Sequence, residues 1–224
     1  NFIRCANSLF KQKKETNRVV TRAMVVAGLC RPVEYYLNKG FNQSTLDFFD
    51  VGICKDPSKP MYNRIVVPVY DDSHAYMTGC IGRSLEEKPL THKWVNSKGL
   101  NTGDFLYNYW NAKEFIEETN SVVVVEGQGD VWRLHEAGIR NSVGMFGCYL
   151  SDYQRIILER SGALNLIILT DSDEAGRDAS ARIKTQCERL FNIYIPDIAP
   201  HKDVGDMTVS EIQHILNPQL QGLV

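Results

Sequence analysis

The sequence predicts an α/β fold, a parallel sheet flanked by helices and preceded by a mixed α+β segment. Three observations carry this. Two apolar runs, 122–125 and 166–169, are rich in branched side chains and stop abruptly at carboxylates, Glu126 after the first and Asp171 and Asp173 after the second. Runs without polar alternation are strands buried on both faces of a parallel sheet. From Ala112 onward helices and strands alternate, which implies right-handed crossovers within one sheet. Ahead of that, two strand-like runs, 64–70 and 75–81, flank Asp71-Asp72-Ser73-His74 and read as a hairpin.

The elements follow in order. Residues 2–30 read as helical, with a basic cluster of Lys11, Lys13, Lys14, Arg18 and Arg22, a pattern that reads as a solvated helix surface ahead of a nucleic-acid patch. Pro32 opens a short helix through Leu37, and Gly40 stops it. Ser44 is placed to cap a helix carrying Leu46, Phe48 and Phe49. Pro68 inside the first hairpin strand implies an edge or a bulge, and 86–103 reads as loop. Then come a helix at 112–118, strand 122–125, a helix at 130–137 and a strand at 142–145. Ser151 caps a helix to Arg160, and strand 166–169 leads to a helix over 175–190. A strand at 193–195, a loop with Asp203 and Asp206, and a helix at 210–216 close the chain.

The totals narrow the class. At 224 residues the chain suits one large or two small domains, and its net charge of −2 announces no nucleic-acid field by itself. Neither a membrane span nor a signal peptide is visible. The six cysteines, Cys5, Cys30, Cys54, Cys80, Cys148 and Cys187, stand singly, without zinc-site spacing, as free thiols of a reducing cytosol do.

Ligands of open parallel sheets sit beyond the carboxyl ends of the strands. Two adjacent strands of this kind bring Glu126, Asp171 and Asp173 to one mouth. Carboxylates so gathered repel one another unless a cation joins them, and an all-oxygen set favours Mg²⁺ or Mn²⁺. Gly127 and Gly176 let the backbone turn sharply and approach a ligand. The helix beginning near Ala175 aims a phosphate-favouring N-terminus at the same corner. Such a site suits phosphoryl or nucleotidyl transfer. The Gly127-Gln128-Gly129 stretch is no dinucleotide fingerprint, because Trp132 stands where the third glycine is needed. No Walker loop exists either.

A glutamate after one strand and an Asp-x-Asp after another resemble the Toprim fold of primases, topoisomerases and some nucleases. The chain looks more narrowly like the RNA-polymerase core of DnaG-type primases. That resemblance is carried, in the family's order, by several segments: Tyr36-Leu37-Asn38-Lys39-Gly40-Phe41; Arg64 to Asp71; Gly82-Arg83-Ser84-Leu85; Lys93-Trp94-Val95-Asn96-Ser97; Leu106-Tyr107 with Ala112; Glu126-Gly127 with Asp130; Asp171 to Arg177; and Lys202-Asp203. It spans roughly residues 33–216. It implies a division into an N-terminal helical or linker segment (1–32), an α+β subdomain (33–110), a Toprim domain (111–200) and a C-terminal acidic loop and helix (201–224).

The resemblance also implies roles. Asp171, Asp173 and Asp203 hold divalent metal with Asp130 close by, and Glu126 serves as acid/base or as a further ligand. Arg64, Arg83 and Lys93, with Asn96, contact nucleotide triphosphate or template. The expected reaction is attack of a ribonucleotide 3′-hydroxyl on the α-phosphate of the next, directed by single-stranded DNA. A replicative helicase is the expected partner, the cytoplasm of a bacterial cell or phage-infected host the expected location. No zinc is expected in this chain; the family's zinc ribbon is expected in the full-length protein. Two departures stand out. Gly205 occupies the place of the family's second aspartate, with Asp206 one further on, and a lysine common between the Asn-Ser and Leu-Tyr motifs is missing. A Toprim nuclease and a non-catalytic module binding single strands or a helicase are the alternatives. Tyr107 is expected in the core, while Trp94 suits either base stacking or packing.

Overall fold

The structure, a computed structural model, describes residues 19–86 and 92–224. The basic residues Lys11, Lys13, Lys14 and Arg18 lie outside the described residues. The described part of the expected opening helix is α1 (Arg22–Gly28), begun by Thr21, whose Oγ1 accepts the Met24 N–H. Helix α2 (Glu34–Leu37) ends before Gly40, which sits in the left-handed region at φ +81° that glycine adopts without strain. Helix α3 (Gln43–Phe48) departs from expectation at its start: Asn42, not Ser44, is the N-cap residue. Its backbone N–H is bound by Glu136 Oε1 at 2.7 Å, so a tertiary contact fixes where this helix begins.

Four strands follow as an antiparallel sheet in the order β1 (Gly52–Ile53), β2 (Arg64–Tyr70), β3 (Met77–Ser84), β4 (Trp94–Asn96). Pro68 is tolerated because β1 pairs only with Ile65 and Val66, which leaves that flank of β2 open farther along, and a bulge falls at Val69/Tyr70. Strand β4 corrects the loop reading of 86–103. Three residues, two of them exposed, are too short for a period-2 signal, and pairing with β3 is what makes them a strand. Residues 87–91 of that stretch are outside the described residues.

The alternation then runs α4 (Tyr109–Thr119), β5 (Ser121–Val125), α5 (Gln128–Glu136), β6 (Ser142–Gly144), α6 (Asp152–Arg160), β7 (Asn165–Leu169), α7 (Glu174–Cys187), β8 (Asn192–Tyr194) and α8 (Val209–Ile215). Ser151 caps α6 as expected, its Oγ accepting from Gln154 N while the Gln154 side chain returns a bond to Ser151 N. The second sheet is parallel, with order β6-β5-β7-β8. The chain steps from β5 to β6 on one side, then crosses to β7 on the other. The gap beyond the carboxyl ends of β5 and β7 is therefore the topological switch point, where ligands of such sheets bind.

Burial on both faces explains the unbroken valine run. Val123, Val125, Ile167 and Leu169 face a core shared with α5, α8 and the inner face of the antiparallel sheet; Val122, Val124, Leu166 and Ile168 face α4, α6 and α7. Trp132 on α5 is fully buried in the first core, edge-on to Tyr36 and Phe41. Beside it Arg133 donates to Gly40 O and Glu136 Oε2. These contacts join α5 to the segment around α2.

A buried carboxylate ties α1 to the antiparallel sheet. Asp50, only 2% exposed, accepts Arg22 Nε at 2.6 Å and the Tyr70 hydroxyl at 2.9 Å, with Arg31 Nη2 at 3.7 Å and His74 Nε2 at 3.8 Å. His74 also stacks on Trp110. Burial, then Arg22, push its imidazole from the ordinary 6.5 down to about 4, against the pull of Asp50 and Asp71. A histidine lowered in the folded state takes up its proton first in the unfolded chain. Its contribution is therefore intact above about pH 6.5 and is lost as pH falls towards 4. The urea midpoint of the protein is expected to fall more steeply between pH 7 and 5 than that of His74→Asn, which keeps a residue tolerant of the positive φ of 59°. Equal slopes would rule this assignment out.

Candidate active site

The paired registers decide what meets what. Val125 lies opposite Leu169, so the residues that follow each strand emerge side by side. Glu126 Oε1 accepts the Asp171 N–H at 3.1 Å, a direct bond between the two mouths. Asp173 caps α7, accepting Gly176 N–H at 3.0 Å; that bond, and then Lys202, hold its carboxyl below the usual range. Gly176 serves a different close approach from the one expected. A Cβ there would fall 2.0 Å from Asp171 O, so glycine lets the first turn of α7 pack against the backbone leaving β7 rather than against a ligand.

The 201–206 loop completes the mouth. Ser172 donates its N–H to Lys202 O and its hydroxyl to His201 O, which lays this loop along the Asp-x-Asp turn. Asp203 Oδ1 accepts the Asp206 N–H. Asp130, on the first turn of α5, accepts Gly127 N–H at 2.9 Å and Gly205 N–H at 2.8 Å.

A cleft of about 470 Å³ opens here. Its lining carries both signs of charge: Glu126, Asp130, Asp171, Asp203 and Asp206 together with Arg83, Lys93 and Lys39, and with Asn96, Trp94 and Tyr35. Burial, then Asp203, push Asp130 up to about 7, and burial, then Glu126 and Asp203, push Asp171 up to about 6. These are carboxylates crowded in a partly dehydrated corner. Lys202 Nζ stands 3.7 Å from Asp171 and 3.5 Å from Asp173 and supplies part of the missing positive charge. Among the described residues no three acidic, histidine or cysteine side chains are already set around one ion position. The donor chemistry nonetheless fits a hard divalent cation: oxygens only, several of them charged, and mutually repelling until a cation joins them.

The site residues expected from sequence divide accordingly. Glu126, Asp130, Asp171, Asp203, Arg83, Lys93 and Asn96 share the cleft. Asp173 is not among the lining residues; it caps α7 and pairs with Lys202. Arg64 does not line the cleft. It pairs with Ser84 while Arg83 pairs with Ile65, so the two arginines project from opposite faces of the sheet. Its guanidinium donates to Gly82 O and His92 O instead. Arg83 is buried, with its guanidinium 3.6 Å from the Tyr35 ring centre and a bond to Ser84 O. Trp94 is 37% exposed on the cleft, and Tyr107 is 3% exposed in the core, as expected.

The cleft also takes in residues that carried no expected role. Lys39 pairs with Asp206 at 3.6 Å, joining the end of α2 to the 201–206 loop. Tyr35 lines the cleft from α2, and Phe146 lines it while packing edge-on to Tyr107. A lysine just before a helix-stopping glycine was the visible signal for Lys39; nothing local marks Phe146.

Residues 120–195 match the Toprim domain family. The chain is 35% identical over 162 residues to the DNA primase of Helicobacter pylori, covering 68% of this chain and 28% of that protein. It is 28% identical over 174 residues to the DNA primase of Aquifex aeolicus, covering 72% and 34%. In fold it is similar to the RNA polymerase domain of Mycobacterium tuberculosis primase DnaG, crystallised with a double-stranded DNA oligomer with a 6-nucleotide overhang; the TM-score is 0.74 at 18% identity, over 90% of this chain and 79% of that one. The chain spans about a third of the length of the curated relatives it matches. With its Toprim sheet, the acidic mouth of that sheet and the antiparallel layer ahead of it, the chain belongs to the DnaG-type primase family.

Proposed function

We propose that this chain is a primase catalytic core that joins ribonucleotides on single-stranded DNA. The observation that supports this above all is the two-signed cleft, lined by carboxylates at the sheet's switch point and by arginine, lysine and aromatic rings. A nucleoside triphosphate with its cation needs both: carboxylates for the cation, fixed positive charge for the phosphate tail. Divalent-metal use is general in the Toprim family, and Mg²⁺ or Mn²⁺ suits this oxygen donor set. Glu126, Asp171, Asp173 and Asp203 are the residues proposed to hold it, and when bound it screens the α-phosphate and stabilises the leaving pyrophosphate.

The chain's own side chains do the rest. Glu126 is proposed to take the proton of the attacking 3′-hydroxyl. Arg83 and Lys93 are proposed to bind the triphosphate, Asn96 to assist them, and Trp94 to offer a stacking face to a base. Arg64, on the other face of the sheet, is proposed to brace β2, β3 and the segment before β4, which keeps Arg83 and Trp94 in the cleft with the carboxylates. The division at about residues 32, 110 and 200, a zinc ribbon in the full-length protein, a helicase partner and a cytoplasmic location belong to the same proposal and rest on the family. Among the described residues no helix is long and apolar enough to cross a membrane.

The test is incubation with labelled ribonucleotides, a single-stranded template and Mg²⁺ or Mn²⁺. Template-dependent oligoribonucleotides are expected, in amounts that drop steeply with added salt because the template contacts are ionic. Cleavage of the DNA without nucleotide dependence would replace this reading with that of a Toprim nuclease.

A further inference from the structure

We infer that Asp130 is a positioning residue, a clasp that holds the 203–206 loop in register with the carboxylates of β5 and β7. The inference rests on the catalytic reading above only for its consequence in turnover; the clasp itself is a property of the protein alone. Both Asp130 oxygens are engaged by backbone amides, Oδ2 by Gly127 and Oδ1 by Gly205. The first bond ties the side chain to its own helix start, directly after β5; the second reaches across 75 residues of sequence.

Gly205 is what makes room. A Cβ there would stand 3.0 Å from Asp130 Oδ1 and 3.4 Å from Asp203 Oδ1, so the carboxylate occupies space that any side chain would crowd. Between β8 and α8 the chain runs from 195 to 208 without helix or strand. Buried Val204 and Met207 anchor it to the core, but apolar contacts do not fix which way the intervening polar groups face. The directional bonds do: Ser172 holds His201 and Lys202 from the β7 side, and Asp130 holds Gly205 from the β5 side. Asp203 is suspended between these two fastenings. A carboxylate that accepts two amides in this way is spent on structure, and Asp203 is the group it presents.

The test is amide hydrogen exchange on the metal-free protein without nucleotide, comparing Asp130→Ala and Gly205→Ala with wild type. Losing a charge-assisted bond should speed exchange of the amide at position 205 by roughly tenfold or more in both variants, each relative to its intrinsic rate. Gly205→Ala leaves every carboxylate in place, yet should lower ribonucleotide incorporation together with Asp130→Ala. Unchanged protection in Asp130→Ala would overturn the clasp. So would a Gly205→Ala variant with wild-type exchange, or an Asp130→Ala variant that loses Mn²⁺ affinity as fully as Asp171→Asn while its Gly205 amide stays protected, since that is the behaviour of a direct ligand. Because exchange is read without metal or nucleotide, it stands even if no primer is ever made.

Discussion

Asp171→Asn is expected to cut ribonucleotide incorporation by about 10²–10³-fold, the scale set by removing one preorganised charge from a transition-state site. The substitution is isosteric, and the backbone N–H that binds Glu126 Oε1 is kept. The lost quantity is the negative charge at the switch point. That charge is costly to the folded protein, because burial, Glu126 and Asp203 raise Asp171 from the ordinary 3.8 to about 6. A carboxyl raised in the folded state opposes folding at neutral pH, where it must ionise in unfavourable surroundings. Neutralising it should therefore leave the melting temperature unchanged or higher. Activity and stability moving apart is the signature of a site assembled for function against its own electrostatics. Retained incorporation, or loss of activity through unfolding seen by circular dichroism, would refute the assignment of Asp171.

Trp132→Ala is expected to destabilise the fold by about 3–5 kcal/mol, the usual cost of emptying a large aromatic site. Trp132 has no exposed surface. Its ring meets Tyr36 at 4.9 Å and Phe41 at 5.7 Å between centroids, both nearly perpendicular. Its Nε1 donates to the Tyr107 hydroxyl at 2.8 Å, so alanine also leaves a buried phenol without this partner. Because Tyr36 and Phe41 precede the antiparallel sheet while Trp132 lies on α5, the loss should loosen the aromatic wall of the cleft. Trp132→Phe, which keeps most of the ring contacts, should cost less. Urea denaturation followed by far- and near-ultraviolet dichroism measures both. A loss below about 1 kcal/mol would mean that these contacts do not carry the joint between the layers.

Trp132 also marks how far a linear reading reaches. In the sequence its bulk excludes a dinucleotide fingerprint; that it joins α5 to α2 is visible only once both are packed. Arg133, Glu136 and Asp50 are similar. Charged residues read along a chain suggest solvent, yet Asp50 is 2% exposed and Arg133 5%, each held by partners distant in sequence. Strand β4 leaves no mark in the sequence because three residues carry no period. A motif places Arg64 with Arg83, and the period-2 alternation that turns the two apart acts only once the strand exists.

The capping of α7 by Asp173 emerged only in the fold. Legible in the linear chain were the strands buried on both faces, the helices between them, the cap at Ser151, and the carboxylates that end β5 and β7. These follow from local periodicity and local hydrogen bonding, which a chain expresses within a few residues. The tertiary structure set β7 beside β5, brought Asp203 to them on a loop from beyond residue 200, and put Arg83 and Trp94 in the same cleft. Those meetings join residues far apart in the chain, 45 positions between Glu126 and Asp171 and 75 between Asp130 and Gly205, and long-range packing, to which no short window of sequence is sensitive, selects them.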